Sequence, residues 1–168
     1  MARKKQELLL ILHNIRSAHN VGAIFRTADG AGAKEIVLSG YTPVPPKKGA
    51  LYLTPADKAL KKTALGAEET VSWKKVARLT PVVNRLKKEG YTIIGLEQDS
   101  KSTDYRSPVK ALRVALLVGN EVSGMEKKVL EQCDVILEIP MRGKKNSLNV
   151  SVATGIALYQ ITSTIEKD

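Results

Sequence analysis

A single cysteine, Cys133, in 168 residues excludes an internal disulfide and any zinc cluster built on thiolates. A lone thiol suits a reducing compartment, and the expected location is the cytoplasm. The two histidines, His13 and His19, have no carboxylate partners at metal-ligand spacing, so no metal is expected. Aromatic residues make up only 4% of the chain, too few for the broad stacking surface of a single-strand binder. Long apolar runs are missing too: nothing approaches a membrane span, and no membrane partner is expected. Residues 1–5 are basic and 8–12 apolar, which imitates a signal peptide. The run is too short, Glu7 and His13 flank it, and no small-residue cleavage site follows. Acidic residues are outnumbered, 17 Asp and Glu against 27 Lys and Arg, leaving a net charge of +10. A basic surface can serve solubility alone. Clustered Lys and Arg are rewarded more by a phosphate backbone, through counterion release, and a nucleic-acid partner is the preferred reading.

What is present is an ordinary globular composition, 43% hydrophobic, in a length that fits one domain spanning 1–168 without linker or repeat. Strand-length apolar runs at 7–12, 35–39, 91–96, 113–118 and 135–139 alternate with helical stretches at 21–31, 57–64, 81–88 and 125–133, with a short strand expected at 69–73. This alternation predicts an α/β domain, a largely parallel sheet with helices on both faces. Within 21–31, Val21, Ile24, Phe25 and Ala28 repeat at helical spacing and form a buried stripe. Gly22, Arg26 and Asp29 fall together away from it, which presents Arg26 to solvent or ligand, or to Asp29 in an i, i+3 pair. Residues 40–55 lack periodicity. Pro43, Pro45 and Pro46 interrupt regular structure, and Lys47 and Lys48 place charge at an exposed tip. Loops of this length are usually functional or mobile, so this one either meets a phosphate backbone or is simply solvated. Residues 97–108 read as a polar loop.

The run 139–159 is the least ordinary. It reads as a strand end, a basic loop and a long helix whose start carries Ser147, Asn149 and Ser151 among apolar neighbours. Val152, Ala153, Ile156, Ala157, Leu158 and Ile161 spread round the helix, a pattern normally buried. Ser147 reads as an ordinary N-cap. Capping needs one such residue, not three, so Asn149 and Ser151 mark a site at the polar start of a buried helix. The glycosylation pattern Asn149-Val150-Ser151 is accidental in that setting.

The familiar nucleotide motifs fail. Gly30-Ala31-Gly32 follows a helix and lacks the third glycine of a dinucleotide fingerprint. Gly119 and Gly124 have P-loop spacing, but Met125 and Glu126 stand where Lys and Ser or Thr are required. No Gly-x-Ser-x-Gly elbow occurs. Three polar clusters remain, each after a strand: Asn14 with Asn20 and Arg26, Gly119 with Glu121 and Gly124, and Ser147 with Asn149 and Ser151. The carboxyl ends of parallel strands are where ligands sit, which argues for one common site.

Taken together these clusters resemble the three signature motifs of the SpoU-type ribose 2'-O-methyltransferases of the SPOUT superfamily. The first carries Asn14, Asn20, Gly22, Arg26, Thr27 and Asp29. The second runs through Leu117, Gly119, Glu121, Gly124 and Met125. The third runs through Ile139, Pro140, Met141, Gly143, Ser147, Leu148, Asn149, Val150 and Ser151. The resemblance covers essentially the whole chain, and the third motif is highly specific. Ala18 departs from the proline common in the family, which bears on the rigidity of that loop. The resemblance implies a C-terminal deep trefoil knot, S-adenosylmethionine bound in a bent form, and a homodimer with an active site drawn from both chains. It places the cofactor against Leu96, Gly119, Ile139, Met141 and Leu148, and the catalytic roles on Asn20, Arg26, Glu121, Ser147 and Asn149. The substrate it implies is RNA, tRNA ahead of rRNA. RNA contacts are expected at Arg26, Lys47, Lys48, Lys144 and Lys145.

A ribose hydroxyl is barely ionised near neutral pH and must lose its proton while attacking a sulfonium methyl in line. Orientation and charge stabilisation should therefore dominate. A guanidinium does not give up its proton in a protein. The resemblance casts Arg26 as activator, in one description as a general base; the expected alternative is that it grips the adjacent phosphate and stabilises the developing alkoxide. Glu121 is expected to hold Arg26 or Asn20, or to brace its loop. Two other functions compete: an RNA-binding protein that keeps the fold without catalysis, and base methylation on nitrogen. The joint presence of Asn20, Arg26, Glu121 and Asn149 counts against the first, and the ribose-type motifs count against the second.

Overall fold

The computed structural model of the protein describes residues 7–163; the basic stretch 1–5 noted above lies outside them. The described residues contain seven strands: β1 Glu7–His13, β2 Glu35–Ser39, β3 Ser72–Val76, β4 Thr92–Leu96, β5 Thr103–Asp104, β6 Arg113–Val118 and β7 Val135–Glu138. They form one sheet in the order β3-β2-β1-β6-β4-β7-β5, and every pairing is parallel. All strand carboxyl ends therefore share one edge. The helices are α1 Ala18–Gly30, α2 Pro55–Ala64, α3 Ala67–Thr70, α4 Thr80–Lys88, α5 Lys127–Leu130 and α6 Val150–Ser163.

The expected two-faced sheet is visible within β1, where five consecutive apolar residues are buried. Successive side chains of a strand point to opposite faces. Leu8, Leu10 and Leu12 join a core with Val21, Ile24 and Phe25 of α1 and with Leu158 and Ile161 of α6. Leu9 and Ile11 join a second core with Val82, Val83 and Leu86 of α4 and with Val129 and Leu130 of α5. Burial on both faces is what makes this strand a continuous apolar run.

Three expectations need correcting. The strand placed at 69–73 is displaced: Leu65 and Gly66 take left-handed backbone after α2, α3 occupies Ala67–Thr70, and the strand is β3, Ser72–Val76. The loop at 97–108 contains the two-residue edge strand β5, which pairs with β7. The helix expected over 125–133 shrinks to α5, Lys127–Leu130. Met125 N–H is held by Glu97 Oε2 at 3.0 Å, and Glu126 is extended at φ −62 and ψ 150, so the helix cannot begin earlier.

Gly22 does not lie on an open face with Arg26. It is buried where α1 crosses α2, and a Cβ there would fall 2.2 Å from both the Leu60 carbonyl oxygen and Thr63 Oγ1. Thr63 Oγ1 closes the same crossing by donating to the His19 carbonyl at 2.8 Å. Gly22→Ala must therefore push α2 away, and a loss of about 1–3 kcal/mol is expected in urea unfolding, against the gain that alanine normally brings to a helix.

Candidate functional site

The carboxyl edge of the sheet brings the ends of β1, β6, β4 and β7 together, and with them most of the polar residues singled out above. Glu121, on the loop after β6, reaches across to the turn after β1. Its Oε2 accepts from Arg16 N–H at 2.9 Å, and its Oε1 accepts from Ser17 N–H at 3.0 Å and Asn20 Nδ2 at 3.1 Å. Asn20 Oδ1 in turn accepts from Asn149 Nδ2 at 3.1 Å. One chain of hydrogen bonds thus joins all three clusters. Burial alone would raise the Glu121 carboxyl, but the Arg16 and Ser17 amides and the Asn20 side chain outweigh it and hold its pKa below the usual value. It braces Asn20 and not Arg26.

Local sequence explains why these residues can meet. Ser17 caps α1, accepting from Asn20 N–H at 3.2 Å, so Asn20 sits in the first turn with its side chain towards the sheet edge. Asn14 adopts left-handed backbone, φ 57, a conformation asparagine tolerates better than most residues. Its Nδ2 donates to His13 Nε2 at 3.3 Å, while His13 Nδ1 contacts Ser39 Oγ at 2.6 Å. Burial, only partly opposed by Glu126, lowers the His13 pKa and favours this neutral, structural imidazole. Asn120 Oδ1 accepts from Val122 and Ser123 N–H, both at 2.9 Å, and its Nδ2 donates to the Asn14 carbonyl at 3.0 Å. The glycine at 119 is required by space: a Cβ there would lie 2.4 Å from Met125 Cγ.

The start of α6 differs from the expectation. Ser147 is not its cap; it is exposed and precedes the helix. The cap is Asn149, whose Oδ1 accepts from Ser151 N–H at 2.8 Å and Ser151 Oγ at 2.6 Å, while its carbonyl accepts from Ala153 N–H at 2.9 Å. Asn149 therefore has a structural role alongside its bond to Asn20. Asn149→Ala is expected to lower stability by about 1 kcal/mol through the lost cap. Ser, which caps but does not reach Asn20, should recover that loss in a thermal melt. Nor is α6 enclosed as its apolar sequence suggested. Thr154, Ala157, Leu158 and Ile161 are buried against α1 and the sheet, while Val152 and Tyr159 on its other side are about half exposed.

A cleft of about 480 Å³ opens along the same edge. Its walls include all five expected cofactor residues, Leu96, Gly119, Ile139, Met141 and Leu148, together with Glu121 and Ser147. Val118 and Val150 add apolar surface, and Glu97 and Glu138 add negative charge. Gln98 Nε2 donates to the Asn146 carbonyl at 2.7 Å, tying the β4 end to the loop before α6. A cleft of this size, with apolar walls and carboxylates, fits a ligand that combines a flat apolar ring with positive charge.

Arg26 does not line that cleft. It is exposed, and among the described residues its side chain makes no hydrogen bond or ion pair. The i, i+3 pair with Asp29 does not form, because Asp29 Oδ1 accepts from Thr70 Oγ1 at 3.0 Å. Six positions beyond Asn20, Arg26 is about a third of a turn round α1 from it. Lys144 and Lys145 are exposed on the loop beside the cleft. Lys47 and Lys48 lie elsewhere, on the rim of a second cleft shared with Pro45, Pro46, Lys61 and Trp73. Cys133 packs under Gly95, and burial raises its thiol to about 11, which leaves it inert at neutral pH. The described residues contain no group of three or more metal-ligating side chains, and no helix long and apolar enough to cross a membrane. The residues that the sequence reading missed are Asn120 and Ser17. Each is a short polar residue at a turn inside one of the motifs, and that is the available signal.

The sequence matches the profile of the SpoU rRNA Methylase family over residues 7–159. It is 38% identical over 160 residues to the 23S rRNA (guanosine-2'-O-)-methyltransferase RlmB of Escherichia coli, covering 95% of this chain and 61% of that one. A putative TrmH family tRNA/rRNA methyltransferase of Staphylococcus saprophyticus is 34% identical, with 95% and 60% covered. The chain thus spans about 60% of the length of these curated relatives. Among solved structures, the AdoMet-bound rRNA methyltransferase from Sinorhizobium meliloti superposes with a TM-score of 0.80 at 27% identity, over 96% of this chain and 58% of that one. The A. aeolicus TrmH/SpoU tRNA modifying enzyme gives 0.79 at 30%, over 98% and 78%.

Proposed function

Because the chain belongs to the SpoU rRNA methylase family, we propose that it is an S-adenosylmethionine-dependent RNA methyltransferase acting on a ribose 2'-hydroxyl. The observation that carries this is the hydrogen-bonded path from Glu121 through Asn20 to Asn149, lying beside a cleft lined by Leu96, Gly119, Ile139, Met141 and Leu148. Bound in that cleft, S-adenosylmethionine supplies an electrophilic methyl group. The apolar walls would hold its adenine, and the carboxylates of Glu97, Glu121 and Glu138 suit its positive charges.

The remaining roles fall on this chain's own side chains. Glu121 holds Asn20, and Asn20 holds Asn149, so the three are positioned before substrate arrives. Ser147 lies on the cleft wall with an exposed hydroxyl, placed to hydrogen-bond the ribose or the cofactor. Arg26 offers a planar fork of donors to the phosphate and to the oxygen that develops negative charge. Its position outside the cleft supports a site completed by a second copy of the chain, with Arg26 of one copy serving the cleft of the other. Lys144 and Lys145, and at greater distance Lys47 and Lys48, are proposed to meet the RNA backbone.

We propose a single catalytic domain and a knotted C-terminus as well. The chain leaves β7 on the far side of β4, yet α6 packs on β6 and α1. Residues 139–149 must therefore cross the end of β4, where Gln98 grips them. Knots are rare exceptions in folds, and this crossing is what supports one here.

The test is transfer of labelled methyl from S-adenosylmethionine to RNA, with tRNA the first substrate and 23S rRNA the second. Label that blocks alkaline cleavage on its 3' side is the expected product. Label on a base, or binding of RNA without transfer, would replace this reading with nitrogen methylation or with a binding module.

A further inference from the structure

Tyr41 is the second residue after β2, following Gly40, and 60% of it is exposed. The residue is nevertheless held from several directions. Its backbone N–H donates to Asn14 Oδ1 at 3.2 Å, and its hydroxyl accepts from Asn120 Nδ2 at 2.9 Å. Gly40, at φ +64, makes room for this: a Cβ there would lie 1.8 Å from Asn14 Oδ1. Lys75 Nζ fastens the turn by donating to the carbonyls of Gly40 and Thr42, both at 2.6 Å. The side chain of Thr42 is buried and donates to the Leu12 carbonyl at 2.9 Å. Core packing does not account for the ring, because most of it stays in solvent while its hydroxyl and both flanking turns are fixed.

Its place matters as much as its restraint. Asn120, which holds the hydroxyl, lines the cleft and pins the 120–123 turn through its own oxygen. Tyr41 therefore leans on a loop that also walls the cleft, and it begins the segment that carries Lys47 and Lys48.

We propose that the exposed face of Tyr41 is a nucleobase-stacking subsite, holding the base of a nucleotide that flanks the one whose ribose enters the cleft. This rests on the RNA reading above. A ring already fixed loses little freedom on binding, so stacking is not offset by the cost of ordering it. Every base presents a π face, so the subsite tolerates sequence and contributes position, while lysines contribute charge. It revises the expectation drawn from scarce aromatics: a broad platform is excluded, but one restrained ring suffices for one base.

The experiment measures binding of a fluorescein-labelled single-stranded oligoriboadenylate to the full chain by anisotropy at fixed salt, without cofactor. Tyr41→Ala is expected to weaken binding about tenfold, within the range for loss of one stacked base. Tyr41→Phe keeps the ring but gives up the Asn120 bond that restrains it, and should bind between wild type and Tyr41→Ala. An abasic ribose-phosphate oligomer should bind wild type and Tyr41→Ala alike. Equal losses for Phe and Ala would overturn the proposal, since the hydroxyl bond and not the ring would then matter. So would unchanged binding by Tyr41→Ala. None of these readouts needs methyl transfer. Ring-dependent binding without turnover would refute the methyltransferase reading and keep the subsite, and turnover with ring-independent binding would do the reverse.

Discussion

Arg26→Lys is expected to lower methyl transfer by about a hundredfold or more while leaving S-adenosylmethionine affinity unchanged. Arg26 lies outside the cleft and its side chain has no partner among the described residues, so its replacement disturbs no contact that holds the fold. Lysine keeps the charge but not the planar fork. Removing one preorganised donor from a developing oxyanion typically costs 10²–10³ in rate, on the order of 3–4 kcal/mol. Rates under single-turnover conditions with saturating RNA are the measurement, because they separate a lost transition-state contact from weaker RNA binding. Near-wild-type rates would show that a point charge suffices, and would remove the argument for a bidentate grip. Mixing Arg26→Lys with a cleft-defective variant tests the two-copy site in the same assay. If each copy lends Arg26 to the other, the mixture should regain activity that neither variant has alone.

The second large effect is expected at Glu121. Three N–H donors converge on its carboxylate, so Glu121→Gln presents an amide to donors that want an acceptor. A stability loss of about 1.5–3 kcal/mol at neutral pH is expected, the range for hydrogen bonds to a charged group. A larger loss of turnover, on the order of a hundredfold, should follow from the freed Asn20 and Asn149. The pH dependence follows from the direction of the shift. The folded-state pKa of Glu121 is depressed, so its stabilisation is fully present above the unfolded value, about 4.3, and is lost as pH falls through the lower folded value. The gap in urea midpoint between wild type and Glu121→Gln should therefore be wide at pH 7 and narrow as the pH falls below the unfolded value. A gap that persists in acid would mean that the carboxylate charge is not what holds the turn.

How much of this was legible beforehand depends on the kind of residue. The strands at 35–39 and 113–118 carry enough β-branched and leucine content, buried on both faces, that their bounds agree with the structure. The buried stripe of α1 was equally plain, being a matter of period. Short elements were not: α3 and β5 owe their existence to neighbours, Gly66 on one side and β7 on the other. The site was legible as three polar clusters, but not which atoms meet. The sequence offers Ser147 as the cap and so leaves Asn149 without a structural role, whereas the helix starts later, at Val150. With Asn149 as cap, one side chain serves the helix end with its oxygen and Asn20 with its nitrogen. Tyr41 was invisible for another reason. Composition counts aromatic rings, whereas what distinguishes this one is the pair of asparagines, 106 residues apart, that restrain it.

Separations this long also set an order in time. Asn20 and Asn149 are 129 positions apart, and the sheet places β1, near the beginning, beside β6. Contacts of such long sequence separation form late, because the intervening chain must first be ordered. The core of β1, β2 and α1 can collapse while the Glu121–Asn20–Asn149 path is still open. Competence to bind a ligand in the cleft should then lag behind compactness on refolding, and a newly made chain would be globular before its site is assembled.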